Sequence, residues 1–236
     1  MACYDVAPPH GSAVPELKGL RDDVYRRPLA TAFERLGIAP GWVCADVGAG
    51  GGDVSVALAE VVGQSGRVYS VDSDPFARDE VARRAAAHSQ VIAITQAGED
   101  LLLPEEVDLA FCRFLLLHVV NPAIVLAAMA KAVSPGGWVV VQEAVTSAGR
   151  IGGVPMQMPD ALHPDIGALL PSLITAAGLE LVDSWAEAQA GMGGGPLGTY
   201  LETLTGVAPK DEPIVLPPLV TVISRRPGPN RPDQRP

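Results

Sequence analysis

Five nearly continuous apolar runs recur between residues 42 and 143, and several of the segments between them have helical periodicity. We predict strands at residues 42–47, 67–71, 90–95, 107–112 and 137–143, and two more at 179–185 and 219–224. Helices are expected at 53–62, 75–88, 122–133 and 165–177. Strands that are apolar almost throughout are typical of parallel strands covered on both faces. The repeated strand–helix order therefore predicts a right-handed, doubly wound α/β sheet.

The two ends of the chain differ from this pattern. Residues 1–40 contain an amphipathic segment, which predicts an N-terminal helical cap that is broken near Pro28. The main domain is expected at 41–226, with insertions at 144–162 and 186–217. Residues 227–236 are polar and proline-rich, so we expect a disordered tail there.

A glycine-rich segment follows the first predicted strand. Residues 46–52 read DVGAGGG and lead into a helix expected to begin near Asp53. Open α/β sheets bind ligands at this end of their strands, and glycine lets a ligand lie against the main chain. A dinucleotide-binding motif would have its third glycine where this chain has Asp53. Asp46, two residues before the first glycine, instead suits a ligand with a cationic amine.

Charge, cysteine spacing and the apolar runs disfavour several kinds of partner and site. The chain has 27 acidic and 17 basic residues, a net charge of −10, which disfavours nucleic acid and anionic membrane surfaces. Its three cysteines lack CxxC spacing, so we expect neither a disulfide nor a metal site. The N-terminus has no signal-peptide pattern and no run is long enough to span a bilayer, which predicts a cytoplasmic protein.

Three segments carry a family resemblance. Residues 45–60 (ADVGAGGGDVSVALAE), 66–75 (GRVYSVDSDP) and 107–143 resemble class I S-adenosylmethionine-dependent methyltransferases of the small-molecule type, and the likeness extends over roughly residues 20–224. The resemblance implies a Rossmann-like, doubly wound sheet of seven strands, mostly parallel with an antiparallel last strand, and helices on both faces. It also implies S-adenosyl-L-methionine as cofactor and S-adenosyl-L-homocysteine as product.

The same resemblance implies which residues contact the cofactor. Asp46 is expected near the methionine amino group and Asp72 at the ribose hydroxyls, although Asp72 also fits a helix-start residue before Pro75. Two positions depart from the family pattern: Ala97 replaces the usual adenine-binding aspartate, and Leu117 replaces the first of two adjacent histidines. Glu99 fits either an adenine contact or a surface loop. The further expected contacts are Gly48, Ala49, Gly50, Gly52, Ser73, Gly98, Glu99, Cys112 and Arg113.

Methyl transfer needs alignment more than covalent help from the protein, because the sulfonium is already an excellent leaving group. A base is needed only when the acceptor is a hydroxyl or a carbon acid. The candidate bases are His118, Glu143, His163 and Tyr25, each of which also fits a structural role. A histidine has the best-matched ordinary pKa at neutral pH.

The insertions indicate what kind of molecule accepts the methyl group. Residues 144–162 and 186–206 hold few charges and contain methionines among glycines, as expected of covers over an adaptable apolar pocket. They favour a small, largely apolar acceptor. Taken with the resemblance, we expect O- or C-methylation of such a molecule, in secondary metabolism. Two alternatives stay open: a cyclase or isomerase of this fold that transfers no methyl group, and a non-catalytic cofactor-binding protein. A homodimer also stays open.

Overall fold

The computed structural model describes residues 4–5, 15–158, 161–205, 208–209 and 211–228. The helices are α1 (Pro15–Leu36), α2 (Asp53–Val62), α3 (Pro75–Arg84), α4 (Pro122–Ala132), α5 (Leu170–Ala176) and α6 (Pro196–Thr205). The strands are β1 (Tyr4–Asp5), β2 (Val43–Val47), β3 (Arg67–Asp72), β4 (Val91–Thr95), β5 (Val107–Arg113), β6 (Val133–Ala144), β7 (Arg150–Ile151), β8 (Val154–Gln157), β9 (Glu180–Glu187), β10 (Ala190–Met192), β11 (Pro213–Val215) and β12 (Leu219–Arg225).

The central sheet has seven strands in the order β4-β3-β2-β5-β6-β12-β9. Neighbouring strands from β4 to β6 run parallel, whereas β12 is antiparallel to both β6 and β9. This confirms the predicted α/β sheet, mostly parallel with an antiparallel last strand. The strand order reverses direction between β2 and β5, so the carboxyl ends of these two strands flank the crevice where such sheets bind ligands.

Three predicted boundaries are displaced. Helix α5 begins at Leu170 rather than at residue 165, because a 3-10 turn occupies Ile166–Leu169. Helix α3 ends at Arg84 rather than at residue 88, and Ala85 follows it as the C-cap. Strand β6 begins at Val133, because Val133 pairs with Val107 of β5 before a shift in register. The proline–glycine–glycine segment that ends α4 therefore lies inside a strand. The predicted tail lies outside the described residues from residue 229 onward.

The predicted break at Pro28 is wrong, since α1 continues through it. Proline removes one main-chain hydrogen bond from a helix interior. Here Val24 and Tyr25 before it and Leu29 and Phe33 after it are all buried. Because most helical stability in proteins comes from tertiary packing, this burial on both sides of Pro28 keeps the helix continuous.

Hydrophobic side chains pack on both faces of the central sheet. On one face the core includes Leu126, Met129, Leu170 and Ile174 of α4 and α5. On the other face, residues of α1 and α2 such as Phe33 and Leu58 cover the strands. No helix among the described residues is long and apolar enough to cross a membrane.

A second, smaller sheet lies apart from the central one, in the order β1-β8-β7-β11-β10. Its strands come from the chain start and from both predicted insertions, 144–162 and 186–217. A third apolar cluster joins this sheet to α1 and α6, and includes Ile151, Met156, Leu201, Ile214 and Leu216. The two insertions therefore share one structure beside α1.

Candidate functional site

The glycine segment turns the chain sharply between β2 and α2. Gly48, Gly50 and Gly52 have φ values of 76°, 51° and 77°, in the left-handed region that favours glycine. A Cβ atom added to Gly48 would lie 2.8 Å from Leu115 Cδ1, so a side chain there would collide with the turn after β5. The segment is held to the sheet by the N–H groups of Gly48 and Ala49, which donate to the Val71 carbonyl at 2.8 and 3.0 Å.

A cavity of about 270 Å³ opens beside this segment. One wall is the glycine turn with the start of α2, and it presents Asp46, Gly48, Ala49, Gly50, Asp53 and Val54. The other walls come from α1, the end of β3 and the turn after β5, and present Arg21, Asp72, Arg113, Phe114, Leu115 and His118. The cavity therefore lies at the carboxyl ends of β2, β3 and β5, where the fold predicts a ligand.

The Asp72 carboxylate fixes the glycine turn from the end of β3. Its Oδ2 accepts a hydrogen bond from the Gly50 N–H at 2.8 Å, and its Oδ1 accepts one from the Asp74 N–H at 2.9 Å. The cap of α3 is Asp74, whose side chain accepts from the Phe76 N–H at 2.9 Å. Each Asp72 oxygen still has a lone pair for a ligand, because a carboxylate offers about four acceptor positions.

Asp46 is almost completely buried at the base of the cavity. Ser55 Oγ donates to its Oδ2 at 2.6 Å and lies 2.8 Å from Ser70 Oγ. Burial raises the pKa of Asp46 to about 7; the Ser55 hydrogen bond lowers it, and the Asp53 charge raises it further. A nearby cationic amine would favour the ionised form of this carboxylate.

Asp53 lies between two arginines. Its Oδ2 pairs with Arg113, whose side chain is only 4% exposed, and its Oδ1 lies 3.6 Å from Arg21 Nη2. The Arg113 guanidinium also lies 5.9 Å from the ring centroids of Tyr25 and Phe114. Burial disfavours the charge on Asp53, but the arginines outweigh it and hold the pKa of this carboxyl below its usual range. This pair anchors the first turn of α2 to the end of β5.

Glu143 holds the turn after β5 in place. Its Oε1 accepts hydrogen bonds from the N–H groups of Leu115 at 2.8 Å and Leu116 at 2.6 Å. Phe114, at the start of this turn, has a φ of 54°, which is uncommon for a bulky residue. Glu143 is fully buried, and this burial raises its pKa to about 8 although the main-chain N–H groups lower it. Its contacts thus fix the turn that presents His118.

The other candidate bases lie at different depths. His118 is exposed and lines the cavity. His163 is half-buried; its N–H donates to the Leu117 carbonyl at 3.1 Å, and its Nε2 is buried with no hydrogen-bond partner among the described residues. Tyr25 is buried, and burial raises its pKa well above the ordinary value, so the phenol stays protonated at neutral pH. His118 is the candidate base that the fold brings to the cavity wall, whereas Glu143, His163 and Tyr25 lie outside its lining.

Part of the chain is similar to a known family of proteins. Residues 45–141, which contain the glycine turn and β2 to β6, match the family model described as a methyltransferase domain. Over this segment, which is about two fifths of the chain, the protein is similar to the methyltransferase family. The matched residues supply all but one of the residues that line the cavity.

Two curated relatives come from Hydrogenovibrio crunogenus. A ubiquinone biosynthesis O-methyltransferase is 36% identical over 102 residues, or 40% of this chain and 39% of the relative. The ubiquinone/menaquinone biosynthesis C-methyltransferase UbiE is 33% identical over 117 residues, or 48% of this chain and 46% of the relative. The chain thus matches less than half the length of either relative.

Solved structures show the same fold over most of the chain. A SAM-dependent methyltransferase from Aquifex aeolicus has a TM-score of 0.62 at 17% identity, covering 89% of this chain and 96% of its own. The [4+2]-cyclase SpnF has a TM-score of 0.63 at 17% identity, covering 86% and 81%. Identities this low establish the methyltransferase fold alone.

The cavity fits S-adenosylmethionine. Among the described residues, a Cβ atom added to Gly50 would have only Arg21 Nη2, at 3.9 Å, within contact distance, so the main chain there is open to a ligand. The lone pairs left on Asp72 suit ribose hydroxyls. The lining holds three carboxylates and two guanidinium groups: Asp46, Asp53, Asp72, Arg21 and Arg113. This excess of negative charge complements the net positive charge of the cofactor.

Five of the predicted cofactor contacts lie outside the lining of this cavity: Gly52, Ser73, Gly98, Glu99 and Cys112. Gly98 and Glu99 form a half-buried 3-10 turn before β5, and Ala97 precedes it. Ser73 is exposed at the start of α3, and the Cys112 side chain is fully buried in the core. Their contacts with the cofactor stay predictions.

The sequence interpretation missed Asp53 and Arg21 as site residues. A sequence pattern could have identified Asp53, since it occupies the position of the third glycine in a dinucleotide motif and begins a helix. No sequence pattern distinguishes Arg21 from Arg26 and Arg27 on the same helix, although both of these are exposed. Only the packing of α1 distinguishes them.

Proposed function

We propose that this protein is an S-adenosylmethionine-dependent methyltransferase that transfers a methyl group to the oxygen or carbon of a small, largely apolar organic molecule, as part of secondary metabolism. The observation that carries this proposal is the apolar cover beside the cavity. Phe114 and Met158 pack against both the core of the central sheet and the third apolar cluster, which is built from α1, α6 and the small sheet. An acceptor reaching the cavity past Phe114 would meet mainly hydrocarbon, which favours apolar molecules.

The charges around the cavity support the same acceptor class. Arg113 is committed to Asp53, and Arg21 faces the glycine turn. With a net charge of −10, the chain lacks the overall positive charge expected of a protein that recruits nucleic acid. The names of the two curated relatives suggest hydroxylated aromatic rings as the first acceptors to test.

The bound cofactor supplies a methyl group activated on a sulfonium. The protein's residues then bind and orient: Asp72 would hold the ribose, and the glycine turn would hold the chain that leads to the sulfur. His118, at the cavity wall, would accept the proton of an acceptor hydroxyl as the new bond forms. The apolar side chains around Phe114 would exclude water and align the acceptor with the methyl carbon.

A mass-spectrometric assay tests the proposal. The protein is incubated with methyl-deuterated S-adenosylmethionine and a panel of phenols, catechols and quinols, and products are searched for the labelled methyl group. We expect a labelled product together with S-adenosylhomocysteine. Binding of the cofactor without transfer to any member of this panel would contradict hydroxylated aromatic rings as the acceptors.

A second candidate is a cyclase or isomerase that keeps the cofactor but transfers no methyl group. It is favoured by the structural likeness to SpnF, a [4+2]-cyclase of the same fold. The same incubation separates the two functions, because a cyclase would change the substrate's structure without adding mass or releasing S-adenosylhomocysteine.

His118 can be tested once an acceptor is known. His118→Ala should lower the single-turnover rate about 10²- to 10⁴-fold, the usual share of a general base, with cofactor affinity nearly unchanged. His118→Asn keeps a hydrogen-bonding group but no base, so it should rescue little. A full rate with alanine would make His118 a packing residue, and substantial rescue by asparagine would make it an acceptor-orienting residue.

A further inference from the structure

Strand β4 forms one edge of the central sheet and β9 forms the other. In the described part of the chain, β4 pairs with β3 alone. The unpaired N–H and C=O groups of an edge strand can pair with another strand, and proteins commonly prevent this with charged residues. Strand β9 (ELVDSWAE) has three of them, Glu180, Asp183 and Glu187, but β4 (VIAIT) has none. The β4 edge therefore lacks the protection that β9 has.

The hydrogen bonds between β3 and β4 show which main-chain groups of β4 face outward. The Val68 N–H donates to the Gln90 carbonyl at 3.0 Å, and the Gln96 N–H donates to the Asp72 carbonyl at 2.8 Å. In a parallel pair, the N–H and C=O groups of alternate residues point to the neighbouring strand. The even-numbered positions of β4 therefore face β3, and the odd-numbered positions, with Ala93 in the middle, face outward.

This alternation suits a second copy of the chain. Two β4 strands related by a two-fold axis at Ala93 would run antiparallel, with Val91 opposite Thr95 and Ile92 opposite Ile94. The outward N–H and C=O groups of Ala93 would then bond to the same groups of the second copy. Because β4 has no charged residue, no like charges on the paired strands would face each other. The β4 edge is thus complementary to itself.

Exposed apolar side chains flank the same edge. Ile92, on β4 itself, is 42% exposed, and Phe76, in the first turn of the helix α3 that packs against β4, is 75% exposed. Leu102 is 76% exposed, and its N–H donates at 3.0 Å to Oε1 of Gln96, the residue directly after β4. The cores of homodimer interfaces are more apolar than the rest of a protein surface. These three side chains fit such a core.

We infer that the β4 edge is a homodimer interface, in which the β4 strands of two copies pair antiparallel about Ala93 and join two central sheets into one. Dimers with two-fold symmetry use the same surface on both copies and leave no further copy of it free. The pairing would therefore remove the unprotected edge at β4, while the acidic β9 edges stay at the two ends of the joined sheet.

Sedimentation velocity over a concentration series tests the inference. The wild type should form a dimer. Ala93→Pro removes the central outward N–H, and Ile92→Lys places a charge opposite Ile94, so each should raise the dimer Kd at least about 10-fold. Ile92→Lys leaves every main-chain donor in place, so it tests the interface even if Ala93→Pro does not fold. Circular dichroism and urea unfolding identify the folded variants.

Leu181→Lys is the matched control, because Leu181 is 45% exposed on the opposite edge strand β9. It should keep the wild-type dimer Kd. A wild type that stays monomeric throughout the series would overturn the inference. So would a dimer that Ile92→Lys leaves intact, or one that Leu181→Lys weakens equally.

Cross-linking tests the register. Ile92 and Ile94 of two copies would face each other at a non-hydrogen-bonded position, where Cα atoms lie about 4.5 Å apart, within the range of a disulfide. In a Cys3→Ser background, an oxidised mixture of Ile92→Cys and Ile94→Cys proteins should form a covalent dimer, and either protein alone should form little. Equal cross-linking of a single variant with itself, or none in the mixture, would refute the antiparallel pairing about Ala93.

Discussion

Asp72 has two separable tasks, and a substitution series should measure both. In Asp72→Ala the N–H groups of Gly50 and Asp74 lose a charged acceptor at 2.8 and 2.9 Å. Hydrogen bonds to charged groups contribute about 1.5–3 kcal/mol each when buried, and Asp72 is only half-buried. We therefore expect the free energy of unfolding to fall by about 2–4 kcal/mol. Urea denaturation of the ligand-free protein measures this loss.

The same substitution should weaken cofactor binding by a separate amount. The ribose hydroxyls lose a charged acceptor, which costs about 2–3 kcal/mol, or roughly a 30- to 150-fold rise in the Kd for S-adenosylhomocysteine. Asp72→Asn keeps one side-chain oxygen, so its Kd should lie between those of the wild type and Asp72→Ala. Calorimetry with the folded variants gives the affinities.

Asp74→Ala is the control for this series. It removes the side-chain cap of α3 but leaves its own N–H bonded to Asp72, so unfolding should cost about 1 kcal/mol less than in the wild type. Its Kd should stay within about 2-fold of the wild type, since the ribose contact is untouched. If Asp72→Ala binds S-adenosylhomocysteine as tightly as Asp74→Ala does, the ribose assignment is refuted.

Three further substitutions test the parts of the site. Gly48→Ala puts a side chain at a φ of 76° and 2.8 Å from Leu115, so urea unfolding should show a loss of about 2 kcal/mol; no loss would mean that the turn relaxes. Asp53→Asn leaves the buried Arg113 charge uncompensated and should cost about 3–5 kcal/mol; a loss below about 1 kcal/mol would show that water replaces the pair. Burial raises the folded-state pKa of Glu143 to about 8, so between about pH 5 and 8 its carboxyl is protonated in the folded protein and ionised in the unfolded chain. The free energy of unfolding of the wild type should therefore fall as the pH rises through this range. Glu143→Gln should flatten that fall in urea titrations at several pH values, and an unchanged slope would contradict the raised pKa.

The parts of the site that are local in sequence could be predicted. Gly48 and Gly50 follow a strand and precede a helix, so their place at the cavity follows from periodicity alone. Asp72 and Asp74 end a strand and start a helix, and the structure separates their tasks because only Asp74 caps α3. The roles of such residues depend on a few neighbouring positions, which the sequence displays directly.

The contacts between distant segments could not be predicted. Arg21 and Asp53 meet because α1 packs beside the start of α2, and nothing near Arg21 in sequence specifies that packing. The strands of the small sheet are two to four residues long, too short to show the alternation by which strands are recognised. The predicted helix break at Pro28 was wrong because tertiary burial, which the local sequence does not show, outweighs the effect of proline on α1.

The small sheet has a consequence for the order in which the molecule assembles. Its outermost pair joins Tyr4 to Met156 and closes a loop of about 150 residues, whereas β2 pairs with β3 and β5 across about 24 and 65 residues. Long-loop pairs come with a larger entropy cost and tend to form late and open early. A nascent chain could therefore complete the glycine turn and β2 to β6 before its cover exists. Native-state hydrogen exchange tests this order. The amide hydrogens of the small sheet should exchange through openings of lower free energy than the amide hydrogens of β2 and β5.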